Sequence, residues 1–85
     1  MAFDSTLQRQ IMGRFATGVT VVTTNFNEEI TGMTANAVIS LSLDPGLVAV
    51  SVDKSASMHE YISEGKGYAI NILHSGQKEI SNRFA

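Results

Sequence analysis

Apolar side chains recur with helical spacing at the start of the chain. Within residues 4–15 they lie three or four positions apart, at Leu7, Ile11, Met12 and Phe15, which predicts an amphipathic helix. Ser5 and Gln8 have the spacing of a capping box at its N-terminus. The next segment, residues 18–26, is rich in β-branched side chains and predicts a strand, with a polar turn over residues 25–29.

Extended segments dominate the middle of the chain. Residues 30–43 form a second extended run, which we interpret as one strand, and Asp44-Pro45-Gly46 predicts the turn that ends it. Residues 47–52 are almost all apolar. A continuous apolar run of this length predicts a third strand that is buried on both faces.

The last third of the chain alternates helix and strand. Residues 57–64 predict a short helix, with Ser57 and Glu60 spaced as a second capping box. Gly65-Lys66-Gly67 predicts a turn, and residues 67–73 predict a fourth strand. Residues 77–85 predict a further helix that has Ile80 and Phe84 on one face.

Four strands and three helices in 85 residues predict a mainly β fold with short helices that is incomplete by itself. The strands are apolar enough to need cover on more than one face, and an open sheet would leave unpaired edges and an exposed apolar surface. We therefore expect one domain over residues 1–85 that is part of a larger barrel. The missing strands would come from a C-terminal half or from a partner chain, and a homodimer is expected in solution.

Composition and charge exclude several classes of protein. Apolar residues make up 44% of the chain, which is typical of a globular domain. The net charge of −2, without a basic run, gives no reason to expect nucleic acid or a membrane as a partner. The first residues, Met1 to Asp4, lack the features of a signal peptide, and the chain has no cysteine. We expect a cytoplasmic location.

Familiar catalytic and metal-binding motifs are absent from the sequence. There is no nucleophile elbow, no P-loop and no dinucleotide fingerprint. His59 and His74 lack the spacing of metal ligands, so we expect no metal site. Glu28 and Glu29 fall in a predicted turn, where solvated side chains are expected.

Residues 32–42 are small and uncharged, with hydroxyls, an amide and methyl groups in alternation. In one continuous strand, the polar side chains of Thr34, Asn36, Ser40 and Ser42 would share a face, and Ala35 would lie on the other. Such a strand could present its backbone to a flat ligand, and bulk at Ala35 would block that ligand. An ordinary half-buried strand with polar residues facing water has the same pattern.

Residues 51–59 place a lysine and several hydroxyls directly after an apolar strand. Ser51, Lys54, Ser55 and the predicted start of a helix at Ser57 supply hydroxyl donors, a cation and backbone N–H groups. This combination suits a phosphate group. The alternative is that Ser57 only caps the helix and that Lys54 is solvated.

Five collinear segments resemble those of the flavin reductase family. MGRFATGVTVVTT (residues 12–24) is similar to the family's opening signature, and GMTAN (32–36) with SLSLDP (40–45) is similar to its next block. LVAVSV (47–52) followed by Lys54-Ser55 resembles the third block. YAINIL (68–73) and the closing RFA (83–85) resemble the fourth.

This resemblance implies a split β-barrel that binds FMN or FAD. Members are commonly the reductase component of two-component monooxygenases, in which NADH or NADPH reduces a flavin that diffuses to a partner oxygenase. The resemblance places Thr34, Ala35 and Asn36 along the isoalloxazine ring, and Ser51, Lys54 and Ser55 near its polar edge or the phosphate. The remaining candidate flavin-binding residues are Ser40, Asp53, His59 and Phe84.

The implied chemistry needs no catalytic side chain, because hydride passes directly from nicotinamide C4 to flavin N5. Family domains continue for a second half that completes the barrel and carries a Gly-Asp-His segment, so we expect this chain to represent the N-terminal half. Two alternatives stay open. One is a flavin-binding protein without reductase turnover, and the other is a fragment that binds no ligand.

Overall fold

A computed structural model describes residues 4–65 and 67–85. Met1, Ala2 and Phe3, which bear on the signal-peptide argument, and Lys66 of the predicted turn lie outside the described residues. The elements follow in the order α1 (Ser5–Met12), β1 (Thr20–Phe26), β2 (Glu29–Ala35), β3 (Val38–Leu43), β4 (Gly46–Val50), α2 (Ser57–Glu64), β5 (Tyr68–Ile72), a 3₁₀ turn (Ser75–Gln77) and α3 (Lys78–Arg83). The predicted mainly β fold with short helices is confirmed.

β1 is the central strand of a three-stranded antiparallel sheet in the order β2-β1-β5. Its β-branched side chains suit a strand that is packed on both faces. Thr20, Val21, Val22 and Thr24 are buried, and Val22 has no exposed surface. The core of the described chain is therefore centred on β1.

The two faces of this sheet are covered by different helices. On one face, Met58 of α2 is buried and accepts a hydrogen bond from the Thr31 hydroxyl to its Sδ at 3.5 Å. Gly32, the next residue along β2, faces the other side of the sheet. There, a β-carbon added at Gly32 would stand 3.2 Å from Cδ1 of Phe84. The ring of Phe84 thus occupies the space that the missing side chain leaves.

A tight hairpin joins β1 to β2. Its two loop residues, Asn27 and Glu28, have positive φ values of 52° and 66°. These values are typical of a type I′ turn, whose twist matches that of the flanking strands. Glu28 and Glu29 are both exposed, as the sequence predicted.

The prediction of one strand over residues 30–43 was wrong. The chain leaves the extended ladder at Asn36 and Ala37, so that β2 pairs with β1 while β3 pairs with β4 in a separate two-stranded sheet. A register irregularity between Ser40 and Ser42 breaks the alternation a second time. The described residues accordingly form five strands, and the polar side chains expected on one face do not share it.

The expected burial of residues 47–52 on both faces was also wrong. Among the described strands β4 pairs with β3 alone, and Leu47 and Val48 are 47% and 52% exposed. Ile39, Leu41 and Leu43 of β3 are exposed as well. Within the described residues both sheets are open, so that the barrel is incomplete, as the sequence predicted.

Both predicted capping boxes differ from the structure. α1 is capped by Asp4, whose Oδ1 accepts from the Thr6 N–H at 2.9 Å, and Ser5 is already helical. α2 has the predicted bounds, but its N-cap is Ala56, which has no side chain able to cap. In each case the cap lies one residue earlier than the predicted serine. Of the helices described, none has the length and apolar character needed to span a membrane.

Candidate functional site

Two of the candidate residues, Thr34 and Phe84, meet at the free edge of β2. The backbone N–H of Thr34 donates to the Phe84 carbonyl at 2.8 Å, and the Thr34 hydroxyl donates to the Ser81 carbonyl at 2.6 Å. The side chain of Thr34 is therefore engaged with the C-terminal helix. Phe84 is 37% exposed, so part of its ring stays accessible beside the strand.

Ala35 belongs to the core, contrary to the expectation of an accessible small side chain. It is 8% exposed, and its carbonyl accepts a hydrogen bond from the buried Thr20 hydroxyl at 2.7 Å. Bulk at this buried position would disturb the core. Asn36, the next residue, is exposed at the break between β2 and β3 and offers both an amide donor and a carbonyl acceptor.

A single backbone hydrogen bond joins the two segments that the sequence singled out. The N–H of Ser51 donates to the carbonyl of Ala37 at 3.0 Å, directly beyond the last β3–β4 pair, Val38 with Val50. The end of β4 is thereby held next to Asn36. Ser40 is carried away from this junction along β3, where it lies opposite Val48.

The turn after Ser51 is organised by Asp53. Its Oδ1 accepts from both the N–H and the hydroxyl of Ser55, each at 2.9 Å, and the Asp53 carbonyl accepts from the Ala56 N–H at 3.0 Å. Hydrogen bonds from the backbone N–H of Ser55 and from its hydroxyl, with a weaker contribution from the charge of His59, hold the pKa of Asp53 below its ordinary value of 3.8, against an opposing effect of burial. Asp53 is thus ionised at neutral pH.

The start of α2 lies directly after this turn. The first backbone N–H groups of a helix have no partner within it, and they carry the positive end of the helix dipole. Lys54 and Ser55 are exposed beside them, and His59 is half-buried on the first turn of α2. Lys54, Ser55 and the start of α2 thus follow one another in this turn, and the Asp53 carboxylate already accepts both hydrogen bonds that Ser55 donates.

A cleft of about 390 Å³ opens beside Asn36. Apolar side chains from distant segments line it together with threonines, namely Thr17, Thr20, Val38, Ile70 and Ile72. Its size is within the range of small-molecule sites. Sequence reasoning missed Ile70 and Ile72 because β5 reaches the cleft through its pairing with β1. Among the described residues, no group of three or more potential ligands is arranged to hold a metal ion.

Comparison with known proteins identifies the fold of the chain that carries this site. The structure superposes on flavin reductase PheA2 with a TM-score of 0.93 and 53% sequence identity, over 98% of this chain and 54% of that one. It also matches the NADH:FAD oxidoreductase SgcE6 of Streptomyces globisporus in complex with NAD and FAD fragments, with a TM-score of 0.91 and 41% identity, over 96% of this chain and 49% of that one. These neighbours have the split-barrel fold.

Sequence relatives agree with the structural neighbours. An NADH-dependent flavin reductase from a Rhodococcus species is 49% identical over 91% of this chain and 46% of its own length. The reductase component of 4-hydroxyphenylacetate 3-monooxygenase from Thermus thermophilus is 40% identical over 91% of this chain and 52% of its own length. The chain thus spans about half the length of these relatives. Residues 12–85 match the model of the flavin reductase like domain, and the chain belongs to that family.

Proposed function

We propose that this chain supplies the flavin-binding part of an NADH-dependent flavin reductase. The observation that carries the proposal is the Ser51–Ala37 hydrogen bond, because it joins the two candidate binding segments directly next to Asn36. NADH is favoured over NADPH because the Rhodococcus relative is named for it. The choice between FMN and FAD stays open, since relatives are named as reductases of each.

The isoalloxazine ring would lie against the end of β2 and the Asn36 junction. There Asn36, which is exposed at the strand break, offers its amide to the pyrimidine edge of the ring, and Phe84 offers apolar surface. The strand is held from both sides, by Thr20 at the Ala35 carbonyl and by α3 at Thr34. A strand fixed in this way loses little further conformational freedom when a ligand binds.

The phosphate would lie at the turn and the start of α2. Lys54 supplies a positive charge, Ser51 and Ser55 supply hydroxyls, and the first N–H groups of α2 complete a set suited to an anion. His59 borders this set. The carboxylates of Asp53 and of Glu60, in the first turn of α2, oppose an anion there. Asp53 must also release the two hydrogen bonds from Ser55 if the phosphate is to accept them.

When bound, the flavin supplies the redox chemistry by accepting hydride from the nicotinamide. The chain has to hold the ring, leave one of its faces open to the nicotinamide and keep the phosphate end fixed. The described residues offer groups for the first and third of these tasks. A partner monooxygenase is supported by the Thermus relative, which is named as a monooxygenase component. Reduced flavin would be delivered to that partner in the cytoplasm.

A homodimer is part of the proposal. The exposed apolar side chains on β3 and β4, including Leu43 at 91% exposure, leave a surface that a second copy would cover. Light scattering tests this directly. A stable monomer of 9.1 kDa that oxidises NADH in the presence of FMN would contradict the dimer.

The function is tested by titrating the purified chain with FMN and recording the visible spectrum, followed by NADH oxidation with and without free flavin. Flavin binding with NADH turnover supports the reductase. Flavin binding without turnover supports the second candidate, a flavin-binding protein of the same fold. If neither flavin binding nor turnover occurs, the proposal is wrong.

A further inference from the structure

Thr34 is the point at which the C-terminal helix is fastened to the sheet. It makes two hydrogen bonds to α3 and the residue after it, from its N–H to Phe84 and from its hydroxyl to Ser81. The hydroxyl bond, at 2.6 Å, is partly buried and joins residues 47 positions apart. Both acceptors are carbonyl oxygens at the C-terminal end of α3.

The last carbonyls of a helix have no partner inside it and need an external donor. α3 has only six residues, so a large share of its carbonyl groups needs a donor from outside the helix. β2 is an edge strand of its sheet, and its outward N–H groups need acceptors in turn. Thr34 meets both needs, because its hydroxyl and its N–H cap α3 from a strand that is distant in sequence.

We propose that Thr34 acts as a positioning residue for the flavin ring. Its hydroxyl holds α3 and Phe84 in register with the strand end at Asn36, and it is not itself a ligand of the ring. This inference rests on the proposed function, because it assigns a role within that site. The hydroxyl already donates its one proton to the Ser81 carbonyl at 2.6 Å, so it could donate to the flavin only by breaking that contact.

Thr34→Val tests the proposal, since valine keeps the shape and loses the donor. The Ser81 carbonyl then lacks its partner, Phe84 shifts, and the affinity for flavin falls roughly three- to tenfold, the effect of one lost hydrogen bond. FMN and riboflavin should be weakened equally, because the ring and not the phosphate is affected. Thr34→Ser restores the donor and should recover most of the affinity.

Thr31→Val is the matched control. It removes a hydroxyl from the same strand, but on the opposite face, where the contact is to Sδ of Met58 at 3.5 Å. Flavin affinity should not change in this variant. An equal loss in Thr31→Val and Thr34→Val would show that general loosening of β2 is responsible, and would overturn the assignment. A loss in Thr34→Val that serine does not rescue would also overturn it.

Amide hydrogen exchange in the unmodified chain gives a test that needs no variant. Saturating FMN should slow exchange at the Thr34 N–H and leave the Thr31 N–H unaffected. Protection of neither amide, in a chain whose spectrum shows bound FMN, would overturn the inference and leave the proposed function intact. A chain that shows no flavin spectrum at any FMN concentration would instead refute the proposed function, and with it the assigned role.

Discussion

The carboxylate of Asp53 accepts both hydrogen bonds that Ser55 can donate, one from the backbone N–H and one from the hydroxyl, each at 2.9 Å. A phosphate oxygen at this turn would need the same donors. The donors of the turn are therefore already bonded to the Asp53 carboxylate, and an incoming phosphate has to compete with that carboxylate.

Asp53→Asn should strengthen FMN binding. Asparagine retains an acceptor for Ser55 but removes the negative charge that repels the phosphate. We expect FMN affinity to rise about two- to fivefold, as for exposed charge interactions, and riboflavin affinity to stay constant, both measured by fluorescence quenching. Asp44→Asn, at the exposed turn between β3 and β4, is the control and should change neither. Weaker FMN binding in Asp53→Asn would show that the charge is needed to order the turn.

The same turn should respond to acid. Ser55 and the charge of His59 hold the pKa of Asp53 below 3.8, so the stabilisation by its carboxylate is present above pH 3.8 and is lost as the pH falls through the lower folded value. In an NMR titration the Ser55 amide should show its inflection below pH 3.8. Asp53→Asn should abolish that inflection, and an inflection above pH 4 in the unmodified chain would contradict the assignment.

Lys54→Ala should weaken FMN binding by about 1–3 kcal/mol, because a charge-assisted hydrogen bond to the phosphate is lost. Riboflavin, which lacks the phosphate, should bind as before. Lys78→Ala removes a cation from α3 and should affect neither ligand. Calorimetric titration of the unmodified chain and the two variants gives their affinities for FMN and riboflavin. Equal losses of affinity for both ligands in Lys54→Ala would place the phosphate elsewhere.

Glu28→Gly should stabilise the fold. Glu28 has a φ of 66° in the β1–β2 turn, a conformation that strains residues with a β-carbon and suits glycine. We expect a gain of about 1 kcal/mol in the free energy of unfolding, measured by urea denaturation. Glu29→Gly, one residue later and within β2, should destabilise instead, because glycine weakens a strand.

Gly32→Ala should destabilise the fold and displace Phe84. A β-carbon there would lie 3.2 Å from Phe84 Cδ1, 3.2 Å from Thr23 Cγ2 and 3.3 Å from Val21 Cγ1. Overpacking of this kind costs about 1–3 kcal/mol. Gly18→Ala is the control, since nothing lies within 4 Å of a β-carbon at that position. Unchanged stability in Gly32→Ala would show that Phe84 does not pack on β2.

Local features of the fold could be predicted from the sequence. The helix at residues 57–64 has the predicted bounds, and the β-branched run became β1, because apolar spacing and backbone propensity act over a few residues. The predicted capping boxes were wrong because the N-cap of each helix is the residue before the predicted serine. The single strand predicted over residues 30–43 and the burial predicted for residues 47–52 were wrong, because both depend on which strand is the partner.

The candidate site was predictable in its members and not in its contacts. The resemblance to the family named Thr34, Lys54, Ser55 and Phe84. The structure joins Thr34 to Phe84 by a hydrogen bond and places Lys54 and Ser55 in the turn before α2. The sequence could not show that the Thr34 hydroxyl donates to Ser81 or that Ala35 is buried beside β1. Both contacts depend on tertiary packing between segments that are distant in sequence.

The position of β1 between β2 and β5 also sets an order of assembly. β1 and β2 are joined by the two-residue turn at Asn27 and Glu28, and a hairpin of this kind forms in about 1–10 μs. On its other side, β1 must wait for β5, whose arrival closes a loop such as the one of 43 residues between Thr24 and Gly67, at a higher cost in chain entropy. Until then one edge of the most buried strand is open to strands of other molecules. Refolding yield should therefore fall as protein concentration rises, and a synthetic β5 peptide added during refolding should restore it.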